Sequence, residues 1–295
     1  MQYSEIKTEI QRATRKRDDA ASPIGHMINQ CYLSEALQVD DLNPLYWLMT
    51  HYDYDTWAPI TITGVTIGAT GQILFSSGSV QEGDLISVYG ITGTTELNNR
   101  TFKAGTVVAN TSVNIQNLDG TAIDTSGMTA WSSGGTIHHR GVQVSSPAIR
   151  QIISATFHGK SPLRQVTPQW ADEDIAFWSD STTRPMYFFM RKGTTEAEIA
   201  QIIWGPCSDQ AYDFRAWVER LPAPLSADAD IPSLPTEFHP MLVAGPLTRL
   251  IESNVQVENA VIWPGVYKQH LINLAAHNSR WWERKLSTSP GLVLL

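Results

Sequence analysis

Two cysteines in 295 residues, Cys31 and Cys207, are too few and too far apart for a disulfide framework. They read as two unpaired thiols in a reducing compartment or as one bridge. No apolar run approaches 18 residues and no charged-then-apolar leader opens the chain, so neither a membrane span nor a signal peptide is expected. Basic residues are also scarce: 21 Lys and Arg against 29 Asp and Glu give a formal charge of −8. The deficit is spread as −4 over residues 1–58, −3 over 59–139 and −1 over 140–295. No part is basic overall, which argues against tight electrostatic binding to nucleic acid or to an anionic membrane. Catalytic signatures are missing as well. There is no Gly-x-Ser-x-Gly elbow and no His-Glu-x-x-His. Gly159-Lys160-Ser161-Pro162 lacks the upstream glycine spacing of a phosphate loop, and Pro162 blocks the helix such a loop needs. His26 and Cys31, five apart, fall on different helix faces.

What is present is a sharp change of composition. Residues 59–139 hold 12 of the 20 Gly, 14 Thr, seven charged residues and a single Trp, Trp131. Short apolar runs at Thr61–Ile67, Gln72–Phe75, Leu85–Tyr89, Thr101–Phe102, Val107–Val108 and Val113–Ile115, punctuated by glycines, predict six strands in a small all-β sandwich or barrel. Glu82-Gly83-Asp84 reads as a tight turn. His138-His139 cannot chelate a metal as a pair, because neighbours on a strand point to opposite faces. The flanks are helical. Tyr3, Ile6, Ile10 and Ala13 recur at helical spacing and end at Arg15-Lys16-Arg17, cations that suit a helix C-terminus. Ser22-Pro23 opens a second helix through Ile28, Cys31, Tyr32 and Ala36.

Beyond residue 139 the pattern predicts strands near Val142–Val144, Ile152–Phe157, Met186–Arg191, Glu198–Trp204 and Tyr212–Leu221, with a helix from Thr167-Pro168. In the last of these strands Phe214, Ala216 and Val218 alternate with Arg215, Trp217 and Glu219, which marks one buried face. Asp172, Glu173 and Asp174 sit in a first helical turn, where carboxylates favour the dipole. Pro222, Pro224, Pro232 and Pro235 space an extended linker. Helices follow over Glu237–Glu252, with a kink at Pro246, and over Val266–Leu286. His239 reads as an N-terminal helix residue, while His270 and His277 share a face and contact a neighbour. Trp281, Trp282 and the apolar tail Val293, Leu294 and Leu295 are the candidate interface residues. The expected fold is α+β: a helical bundle from both ends of the chain (1–58 with 140–295), a sheet, and an inserted β domain (59–139).

Two resemblances bear on function. Gly83-Asp84-Leu85-Ile86-Ser87-Val88-Tyr89-Gly90, then Glu96-Leu97-Asn98-Asn99-Arg100-Thr101-Phe102, then Ser133-Gly134-Gly135-Thr136 resemble a β module of phage tail and baseplate proteins, often named after a half-domain of ubiquitin-activating enzymes. In those proteins it looks like a contact domain without catalytic residues. The flanks resemble the head-to-tail adaptor (connector) family of short-tailed phages through the order of Pro162-Leu163-Arg164-Gln165-Val166-Thr167, Arg184-Pro185-Met186-Tyr187-Phe188, Ile202-Ile203-Trp204-Gly205-Pro206, Leu221-Pro222-Ala223-Pro224-Leu225 and Leu234-Pro235-Thr236-Glu237-Phe238-His239. That resemblance implies a structural virion protein without cofactor, metal or catalytic residues. It implies a ring of twelve copies at the head–tail junction, made in the host bacterial cytoplasm, bound by the portal and by a tail nozzle or tube protein. Tail fibres are further partners, and DNA passes through without sequence-specific binding. The rival reading is a tail fibre or baseplate protein that binds or degrades glycans. Glycan cleavage needs paired carboxylates; Glu196/Glu198 and Asp228/Asp230 are the nearby pairs, both at predicted turns.

Overall fold

A computed structural model describes residues 1–15, 24–40, 43–144, 148–157, 161–173, 183–192 and 199–288. The chain divides into two compact units, one of Met1–Met49 with Glu219–Val293 and one of Thr50–Val218. Helix α1 (Tyr3–Thr14) opens the first unit. Gln2 and Glu5 form a reciprocal capping box, so two backbone donors that a helix start leaves orphaned are satisfied. The predicted face, Tyr3, Ile6 and Ile10, is the buried one, and Arg15 closes the helix in the left-handed conformation. Lys16 and Arg17 lie outside the described residues, as do Ser22 and Pro23. Helix α2 (Ile24–Gln30) runs into a wider π-type turn at Cys31–Glu35, which carries Cys31 and Tyr32 into the core.

The C-terminal half of this unit begins with the proline stretch, which has neither helix nor strand but buries Leu225 and Leu234, and a 3-10 turn at Thr236–Phe238. Helix α4 (Met241–Glu252) buries Met241, Leu242, Leu247 and Leu250 and continues through Pro246, and helix α5 (Trp263–Thr288) packs on it. Both helices were expected, the first to start four residues earlier and the second three residues later. Ile6, Ile10, Ile28, Tyr32, Met241, Leu242, Leu247 and Leu274 form one core. Gly245 marks its tightest point: a Cβ there would lie 2.5 Å from Cys31 Sγ and 2.8 Å from the Tyr267 ring.

The second unit is built around a fourteen-stranded sheet. Its strands are β1 (Met49–Asp55), β2 (Ile60–Thr61), β3 (Gly64–Thr66), β4 (Gln72–Leu74), β5 (Asp84–Tyr89), β6 (Arg100–Val108), β7 (Ser112–Gln116), β8 (Thr136–Gln143), β9 (Ile149–Phe157), β10 (Ser161–Pro162), β11 (Arg164–Gln165), β12 (Tyr187–Lys192), β13 (Ile199–Gly205) and β14 (Asp213–Arg220). A short helix α3 (Pro168–Glu173) lies between β11 and β12. The main order is β1-β14-β9-β13-β8-β5-β6-β7-β4-β3. Strand β8 joins the Gly/Thr-rich strands to the later ones, pairing antiparallel with β5 and with β13.

The strand expected at Val142–Val144 is the end of β8, and two runs of the Gly/Thr-rich block are divided differently from expectation. The run predicted at Thr61–Ile67 is split, because Ile60 and Thr61 pair with β8 whereas Gly64–Thr66 pair with β4. The runs at Thr101–Phe102 and Val107–Val108 are instead one strand, β6, whose register on β7 shifts between Ala104 and Val107 around Gly105. The two larger apolar clusters of the unit gather around Ile73, Ile86, Val88, Phe102 and Ile115 and around Phe157, Phe188, Ile202, Trp204 and Phe214, and a smaller one joins Leu85, Ala171, Phe189 and Ile203.

Candidate functional site

The centre of β8 carries three consecutive polar residues that are all buried: His138, His139 and Arg140. Leu85 of β5 faces Gly141 while Ile86 faces His139, so Arg140 is the extra residue of a β-bulge. His139 points to one side of the sheet. Its ring stacks on Trp57 at 4.7 Å and 9° and meets Trp204 edge-on at 4.9 Å. Nε2 donates to the Gly141 carbonyl at 3.0 Å and Nδ1 accepts the Trp57 backbone N–H at 3.3 Å. Burial pushes its pKa down to about 4, outweighing the upward pull of Asp84, so the ring is neutral at pH 7.

Asp84 is the acceptor around which this cluster closes. One carboxylate oxygen takes the Trp57 indole N–H at 2.8 Å and the Gln81 backbone N–H at 2.8 Å. The other takes the Tyr54 hydroxyl and lies 3.8 Å from His139 Nε2. Burial first, then the charge of Asp84, pushes Tyr52 up to about 12 and moves Tyr54 in the same direction. An Asp, a His and a Tyr thus meet with their polar atoms engaged by one another and by backbone, and Asp84 and His139 are essentially sealed from solvent. A hydrolytic centre needs an open acceptor and a reachable nucleophile; this group instead pins β1 and its following turn to β5 and β8.

On the opposite side of β8 the His138 ring packs edge-on against Tyr89, and Nε2 meets Thr136 Oγ1 at 2.7 Å. Arg140 donates to Ser87 Oγ at 3.3 Å and to the Tyr89 hydroxyl. The two histidines therefore face opposite ways, as strand geometry requires.

In the first unit Glu35 accepts from both Arg249 and the Tyr267 hydroxyl. Cys31 is buried beside Tyr267, and desolvation raises its thiol pKa, so it is a poor nucleophile. His26 is exposed and Cys31 is buried, so they share no site. Cys31 and Cys207 are both free thiols. His239 is buried just ahead of α4, its Nε2 at 2.9 Å from the Leu234 carbonyl. His277 finds its partners within its own unit, Glu237 at 3.3 Å and the Tyr46 hydroxyl at 3.1 Å.

The candidate interface residues separate. Trp281 stacks on Tyr46 at 5.1 Å and 11°, with Lys285 5.5 Å from its ring. Trp282 is 2 % exposed and donates to the Pro44 carbonyl at 2.7 Å, which makes it a core residue of its own chain. Val293, Leu294 and Leu295 lie outside the described residues, as do Glu196, Glu198, Asp174 and Lys160. Asp228 pairs with Lys7 at 2.7 Å, and Asp230 accepts the Ser226 and Ala227 backbone N–H groups.

Sequence reasoning missed Asp84 and Arg140. Asp84 was absorbed into a turn, yet an acid placed directly before the apolar run Leu85–Tyr89 was the available signal. Among the described residues no three His, Cys, Asp or Glu side chains gather as a metal site, and no helix is long and apolar enough to cross a membrane.

Residues 92–278 match the family model described as SU10 adaptor protein. The chain belongs to that family. The match begins inside the Gly/Thr-rich block, runs through β6 to β14 and α4, and ends at Asn278 within α5. No curated protein matches the chain. As a member of the SU10 adaptor family it is a phage adaptor-type structural protein, a virion component that assembles with other virion proteins such as portal and tail.

Proposed function

We propose that this SU10 adaptor is the head-to-tail connector of its phage. In this reading twelve copies form a ring under the portal, present their lower face to a tail nozzle or tube protein, and continue the channel through which DNA leaves. The family match over residues 92–278 carries the reading. The ordered motifs from Pro162 to His239 and the closed character of the buried polar clusters support it. The acidic balance of −8 suits a conduit, because walls rich in cations would hold phosphates in a salt-dependent manner. We assign the Gly/Thr-rich block 59–139 the role of a contact module carried by the connector, and the tail Val293–Leu295 a role in docking to the portal.

Electron microscopy of the particle neck, with copies counted around the axis, tests the assignment directly. Twelve copies of this chain between capsid and tail are expected. Density for this chain on fibres or on a baseplate, or a trimeric mass in the presence of the portal, would refute it.

A further inference from the structure

The charge of −8 conceals one cationic helix. Lys268, Arg280, Arg284 and Lys285 against Glu283 give α5 a net charge of +3. Lys268, Ile272, Ala276, Arg280 and Arg284 follow one another at four-residue steps, the oblique ridge along which helices pack on their neighbours. All but Ala276 are exposed, and Ile272 is 52 % exposed. The ridge is thus apolar in the middle and cationic at both ends. Lys268 is about 6 Å along the axis from Ile272, and Arg280 about 12 Å.

That composition discriminates between partners. A phosphate backbone gains nothing from an exposed isoleucine between the cations, whereas protein interfaces put an apolar centre inside a polar rim. A parallel self-pairing of the ridge would set each cation against its own copy, and an antiparallel one about Ile272 would set Lys268 against Ala276 and Arg280 against Pro264, so self-pairing leaves the cations without a carboxylate.

A matching surface exists in the same unit. The loop before the 3-10 turn, residues 226–231, presents Ile231 at 65 % exposure, next to Asp230 and three residues after Asp228. Asp228 is paired with Lys7 of its own chain at 2.7 Å through one oxygen, yet its side chain is 74 % exposed. The Ser226 and Ala227 backbone donors hold the Asp230 carboxyl below its usual range, and so ionised. An exposed isoleucine flanked by carboxylates mirrors an exposed isoleucine flanked by cations, and since both stay exposed in one chain, neither covers the other.

We propose that the 226–231 loop of one copy docks on the α5 ridge of the next, Ile231 against Ile272 and the two carboxylates against Lys268 and Arg280. The contact is heterologous, the kind that generates a ring when its rotation closes. It deepens the connector reading and rests on it.

The test is covalent capture in the assembled particle. Ile231→Cys and Ile272→Cys are introduced together and singly, and purified particles are treated with a mild oxidant. The native thiols, Cys31 and Cys207, are buried. The double variant is expected to give a ladder of covalent multimers on a non-reducing gel, and each single variant monomer only. A dimer from a single variant, or a bond from residue 272 to a different virion protein, overturns the proposal. So does a double variant without a ladder in particles whose necks still show a ring, a result that leaves the connector reading standing. DNA binding by the isolated protein that is lost in Arg280→Glu/Arg284→Glu would overturn it by naming another occupant. Necks with no ring of this chain would overturn the connector reading itself.

Discussion

Asp84→Ala is the most informative single perturbation of the second unit. The carboxylate accepts three donors: the Tyr54 hydroxyl, the Trp57 indole N–H and the Gln81 backbone N–H. Removing it strands the buried Trp57 indole N–H and the half-buried Tyr54 hydroxyl. A buried donor left without an acceptor costs about 1–3 kcal/mol, so the loss should be about 2–6 kcal/mol. A domain of ordinary stability has only about 5–15 kcal/mol in all. Asp84→Asn keeps one acceptor oxygen and the shape, and should cost about 1–3 kcal/mol. Urea unfolding followed by tryptophan fluorescence reads both. With a slope of about 2 kcal/mol per M, Asp84→Ala should lower the midpoint by about 1–3 M, and Asp84→Asn by roughly half of that. Tyr54→Phe supplies the control. It removes one stranded donor, so Asp84→Ala should cost about 1–3 kcal/mol less in that background. Equal midpoints for wild type and Asp84→Ala, or strict additivity with Tyr54→Phe, would show that the cluster does not hold the strands together.

Acid should weaken the same unit through His139. Its folded pKa of about 4 lies below the unfolded value near 6.5, so the unfolded chain binds the extra proton between these limits. Stability should be full above pH 6.5 and fall by about 3 kcal/mol as the pH drops to 4, a slope that His139→Gln removes in unfolding curves taken at stepped pH. Gly245→Ala should cost about 1–3 kcal/mol, because its Cβ would press on Cys31 and the Tyr267 ring, and the thermal midpoint should drop. Gly265→Ala, in α5 with open space around the added carbon, should instead raise that midpoint, by up to about 1 kcal/mol of helix propensity. Trp282→Ala should destabilise the isolated chain by about 3–5 kcal/mol, whereas Trp281→Ala should cost clearly less; equal effects in calorimetry would contradict the burial difference.

The sequence was legible where one periodicity governed a long stretch. Tyr3, Ile6 and Ile10 marked the buried face of α1, and the alternation of Phe214, Ala216 and Val218 marked the buried face of β14. Legibility failed where strand pairing decides. Thr61–Ile67 has one continuous β pattern, and its division depends on which partner each part meets, β8 across the whole Gly/Thr-rich block or β4 in the next hairpin. The bulge at Arg140 is equally hidden, because register is a property of two strands and the local run records only one. Trp281 and Trp282 show the same limit on a helix: adjacent and chemically identical, they differ in that only Trp282 has the Pro44 carbonyl within reach.

Charge follows the same logic. A sum over residues 140–295 gives −1 and suggests a neutral surface, yet the fold gathers +3 on α5 and sets Asp228 and Asp230 beside an exposed isoleucine in the 226–231 loop. In the proposed contact the two faces carry opposite charge, as they must if each is to find its opposite on an identical chain. If that complementarity drives assembly, raising the salt should slow the association of copies far more than it loosens the completed contact. Long-range steering is screened over about 10 Å at 0.1 M salt, while the Ile231–Ile272 centre, once buried, is not. Stopped-flow light scattering at stepped ionic strength, with the portal present, separates the two rates. Association that is indifferent to salt would locate the driving force in apolar surface alone and remove the carboxylates of the loop from the assembly step.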